Sequence, residues 1–276
     1  MAAGLLHIII GSVVIAGSME YPKKSLGQHW LKDENILESI ADDASISGSD
    51  TVLEIGPGLG NLTKYLVKRS KKVVAIELDE VLAAKLLHNI QSDNLEVIPA
   101  DILKFDLTNL PASYKVVANI PYYLTSNLLR ILCESSNPPS TMTLLVQKEV
   151  AERICAGPGK MSVLAVSVQL YYKCNPGMVV PAKAFMPPPK VDSQVVFMDK
   201  RTEPLFKDLD SQKYFQIVRA GFSERRKKLR SSLSGGLRIT KDAADKLLKK
   251  AGIDSSRRAQ DLSLQEWHKI YELFPG

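Results

Sequence analysis

Apolar positions along this chain first alternate between strand-like runs and helical stripes, then settle into helical stripes alone. Residues 51–55, 73–77, 95–99, 115–118 and 143–147 are short apolar runs bounded by turn residues, and each reads as a buried strand. Between them, 61–69, 80–91 and 126–133 carry apolar residues at three- and four-residue spacing, the mark of amphipathic helices. A further helix is expected over 35–44, where Ile36, Leu37, Ile40, Ala41 and Ala44 share a face and Asp33 supplies a cap. Strands alternating with helices predict an α/β domain with a mostly parallel sheet covered on both faces.

The pattern changes at 176–196, which is rich in Pro and Val and contains Pro187-Pro188-Pro189. Proline cannot sit inside a helix, so an antiparallel ribbon at the sheet edge is expected, with a rigid proline loop at its tip. After Lys200 only helical stripes remain, at 212–222, 243–251 and 263–273, the last opened by the capping-box pair Ser263 and Glu266. The chain therefore divides into an α/β domain over 19–203 and a small all-α domain over 204–276.

Charge follows that division. Residues 1–200 hold 19 Lys+Arg against 20 Asp+Glu, whereas residues 201–276 hold 17 against 10. A neutral body with a basic end is the distribution expected of a polyanion binder. Cys133, Cys155 and Cys174 are odd in number and form no C-x-x-C pair, so neither a disulfide framework nor a metal site is supported and a reducing cytoplasm fits. Residues 2–19 are uncharged and apolar from Leu5 to Ile15, too short a run for a membrane span and without the basic start of a signal peptide. Gly17-Ser18-Met19 reads as a cloning junction followed by a second start, so residues 1–18 are set aside as a leader.

Chemistry enters at two turns. Glu54-Ile55-Gly56-Pro57-Gly58-Leu59-Gly60 follows the first strand, where glycines let the backbone approach a ligand and the next helix offers free N–H groups. A dinucleotide loop wants G-x-G-x-x-G; the tighter Gly56, Gly58, Gly60 spacing behind Glu54 suits the amino-acid end of S-adenosylmethionine (SAM) better than a pyrophosphate. Glu77 ends the second strand and can accept from ribose hydroxyls; Asp101, after the third, can accept from the adenine amino group. The competing reading is a tight turn with two surface carboxylates. The first makes the domain a Rossmann-like SAM-dependent methyltransferase sheet.

The second turn, Asn119-Ile120-Pro121-Tyr122, ends the fourth strand. An adenine N6 lone pair is delocalised into its ring, and two acceptors gripping the amino hydrogens would localise it. The Asn119 amide oxygen is one such acceptor. The Ile120 carbonyl is the other, since Pro121 holds Ile120 extended. Tyr122 offers a ring on which a base can stack, and Phe185, just before the proline loop, offers a second for a flipped base. An ordinary strand-to-helix turn and a core aromatic are the alternatives. No general base is required, and catalysis would be alignment and electrostatics.

These segments, with Lys24 to Asp33, Phe185 to Ser193 and the basic stretch Phe222 to Leu229, resemble the small-subunit ribosomal RNA adenine N6,N6-dimethyltransferases of the KsgA family over roughly 20–273. The resemblance implies that His29 and Leu31 contact SAM together with Gly56, Glu77, Asp101 and Asn119. It also implies a substrate hairpin near the 3′ end of small-subunit rRNA, in which two adjacent adenosines are each dimethylated. His29 and Trp30 stand where many bacterial members carry Asn and Phe, and Ile120 stands where Leu is common.

Arg225, Arg226, Lys227, Lys228 and Arg230 place five cations in six positions, a density suited to RNA phosphates, with Arg257 and Arg258 as a further pair. No paired-aromatic RNA motif is visible, so shape and splayed bases are the expected readout. The expected protein is a monomer acting on rRNA in an assembling subunit, without metal or membrane. Rival readings are a large-subunit enzyme of the erythromycin-resistance type, an RNA-binding assembly factor with a vestigial site, and a nicotinamide dehydrogenase.

Overall fold

A computed structural model describes residues 28–275, so the leader 1–18 and the start, Lys24 to Gly27, of the lead-in segment that runs to Asp33 lie outside the described residues. The chain opens with the two-residue strand β1 (Trp30–Leu31) and helix α1 (Glu34–Asp43), whose first turn is capped by the Asp33 carboxylate accepting from the Asn35 and Ile36 amides. Then β2 (Thr51–Ile55), α2 (Thr63–Arg69), β3 (Lys72–Glu77), α3 (Glu80–Asn89), β4 (Leu95–Pro99) and β5 (Lys115–Asn119) alternate as the apolar pattern predicts. They are followed by α4 (Thr125–Glu134), β6 (Thr141–Gln147), α5 (Lys148–Ile154), α6 (Val163–Gln169), β7 (Tyr172–Val180), β8 (Phe185–Met186) and β9 (Ser193–Lys200).

Seven strands form one sheet in the order β4-β3-β2-β5-β6-β9-β7. The first five run parallel, and β9 pairs antiparallel with both β6 and β7. Alternation within the strands sends Leu53, Ile55, Val74, Ile76, Val116 and Leu144 to one face, against α4, α5 and α6. Val52, Val73, Val117 and Leu145 go to the other, against α1 and α2. The expected edge ribbon exists, but its strands start earlier and end later than 176–196, and only β7 is the edge. Pro176 sits on that edge strand beside a bulge, a position where sheets accommodate proline.

The C-terminal part is helical: α7 (Ser211–Phe222), α8 (Leu229–Leu237), α9 (Lys241–Lys250) and α10 (Leu264–Leu273), the last with the expected Ser263/Glu266 capping box. Its core, centred on the buried Trp267, also takes in Met161, Ala165, Val166 and Leu170 of the α6 region. Leu164 and Val168 of the same helix pack on the sheet. The two parts thus share α6 as a common wall. Among the described residues no helix is long and apolar enough to cross a membrane.

Candidate active site

The order of strands reverses between β2 and β5, the place where open α/β sheets bind ligands beyond their strand ends. There the β2–β5 ladder holds only Val52↔Lys115 and Leu53↔Val116, against five partner pairs between β2 and β3. Past that short ladder a cavity of about 250 Å³ opens, walled by the lead-in, both turns and the ends of β3 and β4.

The glycine turn is left-handed at three places, with φ of 65° at Gly56, 57° at Gly58 and 82° at Gly60. Glu77 locks it from the next strand: one carboxylate oxygen accepts the Gly58 N–H at 3.0 Å and the other the Asp79 N–H at 3.0 Å. An ionised carboxylate can accept about four hydrogen bonds, so capacity for a ligand remains beside these amides. Gly56 and Gly58 line the cavity, but Gly60 does not. A side-chain carbon at Gly60 would lie 2.5 Å from Leu86 Cδ1 and 2.7 Å from Ile90 Cδ1, so its place in the motif serves packing against α3. That corrects its assignment as a cofactor contact. Asn61, which sequence reasoning passed over, donates its amide to the Leu31 carbonyl at 2.7 Å and ties the turn to the lead-in.

The lead-in reaches the second turn as well. The Asn119 side-chain nitrogen donates to the His29 carbonyl at 3.2 Å, which commits the amide's donor end and leaves its oxygen as an acceptor. His29 Nδ1 lies 2.8 Å from the Pro187 carbonyl, which can only accept, so Nδ1 carries the proton. The His29 ring stacks on Tyr122 at 5.7 Å between centroids and 21° between planes, and the Tyr122 hydroxyl meets Ser193 at 2.9 Å. Within the turn, Ile120 N–H donates to the Leu145 carbonyl and Leu124 N–H to the Pro121 carbonyl. Neither bond uses the Ile120 oxygen. Pro121 Cδ comes within 3.9 Å of where a Gly56 side chain would begin, so the two turns abut.

Phe185 departs from expectation. It is 4% exposed, pairs with Leu31 across β1 and β8, and packs in the core with Leu37, Val180 and Val195. Its ring is therefore structural and stands outside the cavity. Two other rings are at the cavity. Tyr123 is 60% exposed at the mouth, and Trp30 lies against Gly58, with Nε1 3.1 Å from the place of a Gly58 side-chain carbon. Tyr123 only adjoins a motif, and Trp30, though inside the Lys24 to Asp33 segment, is not marked as a contact by its residue type.

The cavity lining includes three carboxylates, Glu54, Glu77 and Asp101, and no Lys or Arg. Burial pushes the Glu54 carboxyl up to about 8, eased by the Thr63 hydroxyl and reinforced by Glu77. Burial likewise raises Glu77, offset in part by the Asp79 and Gly58 amides. Asp101 Oδ1 accepts the Leu103 N–H at 3.0 Å. The glycine cradle, the carboxylates at successive strand ends and the lack of Lys or Arg in the lining fit an adenosine-bearing ligand of net positive charge better than a pyrophosphate.

The basic stretch does not lie on a helix. Arg225, Arg226, Lys227 and Lys228 occupy the turn between α7 and α8, all exposed, with Lys227 2.6 Å from Glu224. Arg230 is inside α8 and donates to Asp245 at 2.8 Å, so part of its charge is spent within the domain. Arg257 is likewise committed, to Glu266 and the Asp261 carbonyl. Arg258 is exposed.

Residues 19–275 match the family model described as ribosomal RNA adenine dimethylase. The chain is 42% identical over 258 residues to ribosomal RNA small subunit methyltransferase A of Dehalococcoides mccartyi (strain CBDB1), covering 92% of this chain and 89% of that protein. Against the protein of the same name from Clostridium botulinum (strain Kyoto / Type A2), identity is 42% over 254 residues, with 90% and 92% covered. Among solved structures, a dimethyladenosine transferase from Plasmodium falciparum superposes with a TM-score of 0.75 at 28% identity, covering 88% of this chain and 96% of that one. The 23S rRNA methyltransferase ErmE gives 0.72 at 28% identity, with 88% and 98% covered. With a glycine cradle, an Asn-Ile-Pro-Tyr turn beside it and these relatives over nearly its whole length, the chain belongs to the ribosomal RNA adenine dimethylase family.

Proposed function

We propose that this chain is a SAM-dependent rRNA adenine N6,N6-dimethyltransferase acting on two adjacent adenosines of a hairpin near the 3′ end of small-subunit rRNA. The observation that carries the reading is the abutment of the two turns at the sheet's switch point, one shaped for SAM and one offering paired acceptors. The small-subunit assignment rests on the 42% identity to enzymes so named, against 28% to ErmE, since the fold is common to both.

When bound, SAM supplies a methyl group on a positively charged sulfur. Gly56 and Gly58 would leave room for it, Glu77 would hold the ribose, Asp101 the adenine amino group, and His29 and Leu31 would close the cavity from the lead-in. The Asn119 oxygen and Ile120 carbonyl accept the two hydrogens of the target N6, turning its lone pair toward the methyl. Tyr122 backs the target base, its ring steadied by His29 and its hydroxyl by Ser193. Leaving protons pass to water after transfer, so no side chain acts as a strong base. Arg225, Arg226, Lys227 and Lys228 grip RNA phosphates, with Arg230 a lesser contributor. The setting is a monomer in the cytoplasm working on an assembling small subunit, and no metal takes part.

In cells deprived of their own enzyme of this kind, expressing this chain should restore N6,N6-dimethyladenosine at two adjacent positions of small-subunit rRNA. Small-subunit rRNA that stays unmodified in the presence of folded protein overturns the proposal.

A further inference from the structure

Among the described residues, Glu54 is a strand carboxylate whose surroundings the fold does not explain. It is 2% exposed in the middle of the sheet, directly under the glycine turn. Its Oε2 has no hydrogen-bond partner, and the neighbouring Thr63 hydroxyl, also fully buried, makes no well-formed bond either. Glu77 on the adjacent strand is the other titratable group facing it, while Asp101 and His29 line the same cavity. No Lys or Arg is among the lining residues, and no ion pair to Glu54 or Glu77 exists among the described residues. A buried carboxyl next to another, without a cation, stays protonated until a positive charge arrives.

We propose that Glu54 is a charge-sensing residue that lets the cavity distinguish SAM from its demethylated product. The inference rests on the function proposed above. SAM and S-adenosylhomocysteine differ by one methyl and one unit of positive charge on sulfur. Glu54 is a neutral acid in the empty cavity. It gives its proton to solvent when the sulfonium enters, because the carboxylate then has a counter-charge in a poorly screened site. In the transfer step the N6 lone pair bonds the methyl carbon and the carbon–sulfur pair stays on sulfur as a neutral thioether. Glu54 then faces only the α-ammonium that substrate and product share, one positive charge fewer than with SAM, recovers a proton from solvent, and the product loses the sulfonium's advantage in the site. The proton released on loading equals the proton recovered after transfer.

Proton linkage fixes the sign. Burial holds the free carboxyl near 8, and a bound cation lowers it, so loading releases protons at neutral pH and SAM affinity rises with pH up to about 8. The ligand's own α-amino group titrates in the same region, at roughly 8 for a free α-amine. A comparison with Glu54→Gln therefore isolates the protein's share. Glutamine keeps the shape of the protonated acid, so folding should be unaffected.

The test is calorimetric titration of SAM, S-adenosylhomocysteine and sinefungin, which carries an ammonium in place of the sulfonium, at pH 7 in two buffers of different ionisation heat. Trp30 fluorescence serves as an independent reading of occupancy, since it lines the cavity and the other tryptophan, Trp267, is sealed in the helical core. The proposal expects more protons released by wild type than by Glu54→Gln with SAM and sinefungin, and no such difference with S-adenosylhomocysteine. It also expects the variant to lose about tenfold in affinity for the two cationic ligands relative to the thioether, the size of one partly screened charge pair less the cost of ionising the carboxyl at pH 7. Equal losses for all three ligands, or identical proton release by both proteins, overturn the charge-sensing role while leaving SAM use intact. If wild-type protein binds none of the three, the proposed function falls and this inference with it. Should Glu54→Gln fail to fold, the wild-type proton count decides alone: equal release with sinefungin and S-adenosylhomocysteine overturns it, and an excess with sinefungin supports it.

Discussion

Replacing Gly60 and Gly58 separately with alanine distinguishes a glycine that packs from one that cradles a ligand. At Gly60 an alanine would hold φ near 82° and push its Cβ to 2.5 Å from Leu86 and 2.7 Å from Ile90. The left-handed backbone costs about 1 kcal/mol for a residue with a Cβ. Overpacking against a buried leucine adds roughly 1–3 kcal/mol, because Leu86 has little room to retreat. Together about 2–4 kcal/mol should go, which for a chain of this size lowers the melting temperature by roughly 5–10 °C. Gly60→Ala should nonetheless bind SAM within about threefold of the parent, since the glycine stands outside the cavity. At Gly58 the new Cβ meets only the Trp30 ring, at 3.1 Å, and sits on the cavity wall. Gly58→Ala should therefore lose roughly tenfold or more in SAM affinity while destabilising less than Gly60→Ala. Thermal melts and equilibrium titration of both proteins suffice. A Gly60→Ala protein of parental stability that no longer binds SAM would refute the packing assignment.

Asn119→Ala should lower the methyl-transfer rate constant by about 10²–10³, the loss typical of one catalytic hydrogen-bond partner, while changing SAM affinity far less; parental turnover in single-turnover assays contradicts the alignment mechanism. Neutralising Arg225, Arg226, Lys227 and Lys228 together should reduce the slope of log affinity against log salt by roughly 2–3, since each phosphate contact contributes about 0.7–0.9 and Lys227 is already paired with Glu224. An unchanged slope in RNA titrations would make the turn plain solvated surface. The Arg257 hydrogen bond holds the Glu266 carboxyl below its ordinary 4.5, so the stability it gives is present above that pH and lost as pH falls through the lower folded value. Glu266→Gln should cost about 1 kcal/mol at pH 7, and chemical denaturation should find that difference shrinking as pH falls below the ordinary 4.5. A penalty independent of pH would assign the effect to the helix cap alone.

The sheet half was legible because its signal is physical and local: apolar strand runs, an Asp33 cap and glycines where the backbone must turn left-handed. Two helices after β6 escaped notice because α5 and α6 are only seven residues each and separated by Gly157-Pro158-Gly159. Helix α8 was hidden by its composition, Ser231, Ser232, Ser234, Gly235 and Gly236 being poor helix formers. The structure gives Gly236 a reason, since a side chain there would begin 2.6 Å from Ala220 Cα in α7. Motif spacing singled out Asn119, Tyr122 and Glu77 and the family resemblance added His29, and all four line one cavity, yet neither signal could separate Gly60 from Gly58 or Phe185 from Tyr123. Those distinctions depend on which neighbour, Leu86 or Leu31, fold topology brings alongside.

The central claim is tested most directly with purified protein, labelled SAM, undermethylated small ribosomal subunits, and large subunits as the control, followed by nucleoside analysis of each RNA. Dimethyladenosine confined to the small-subunit RNA is the predicted result. Label in the large-subunit RNA, or none in either with SAM bound, would contradict it.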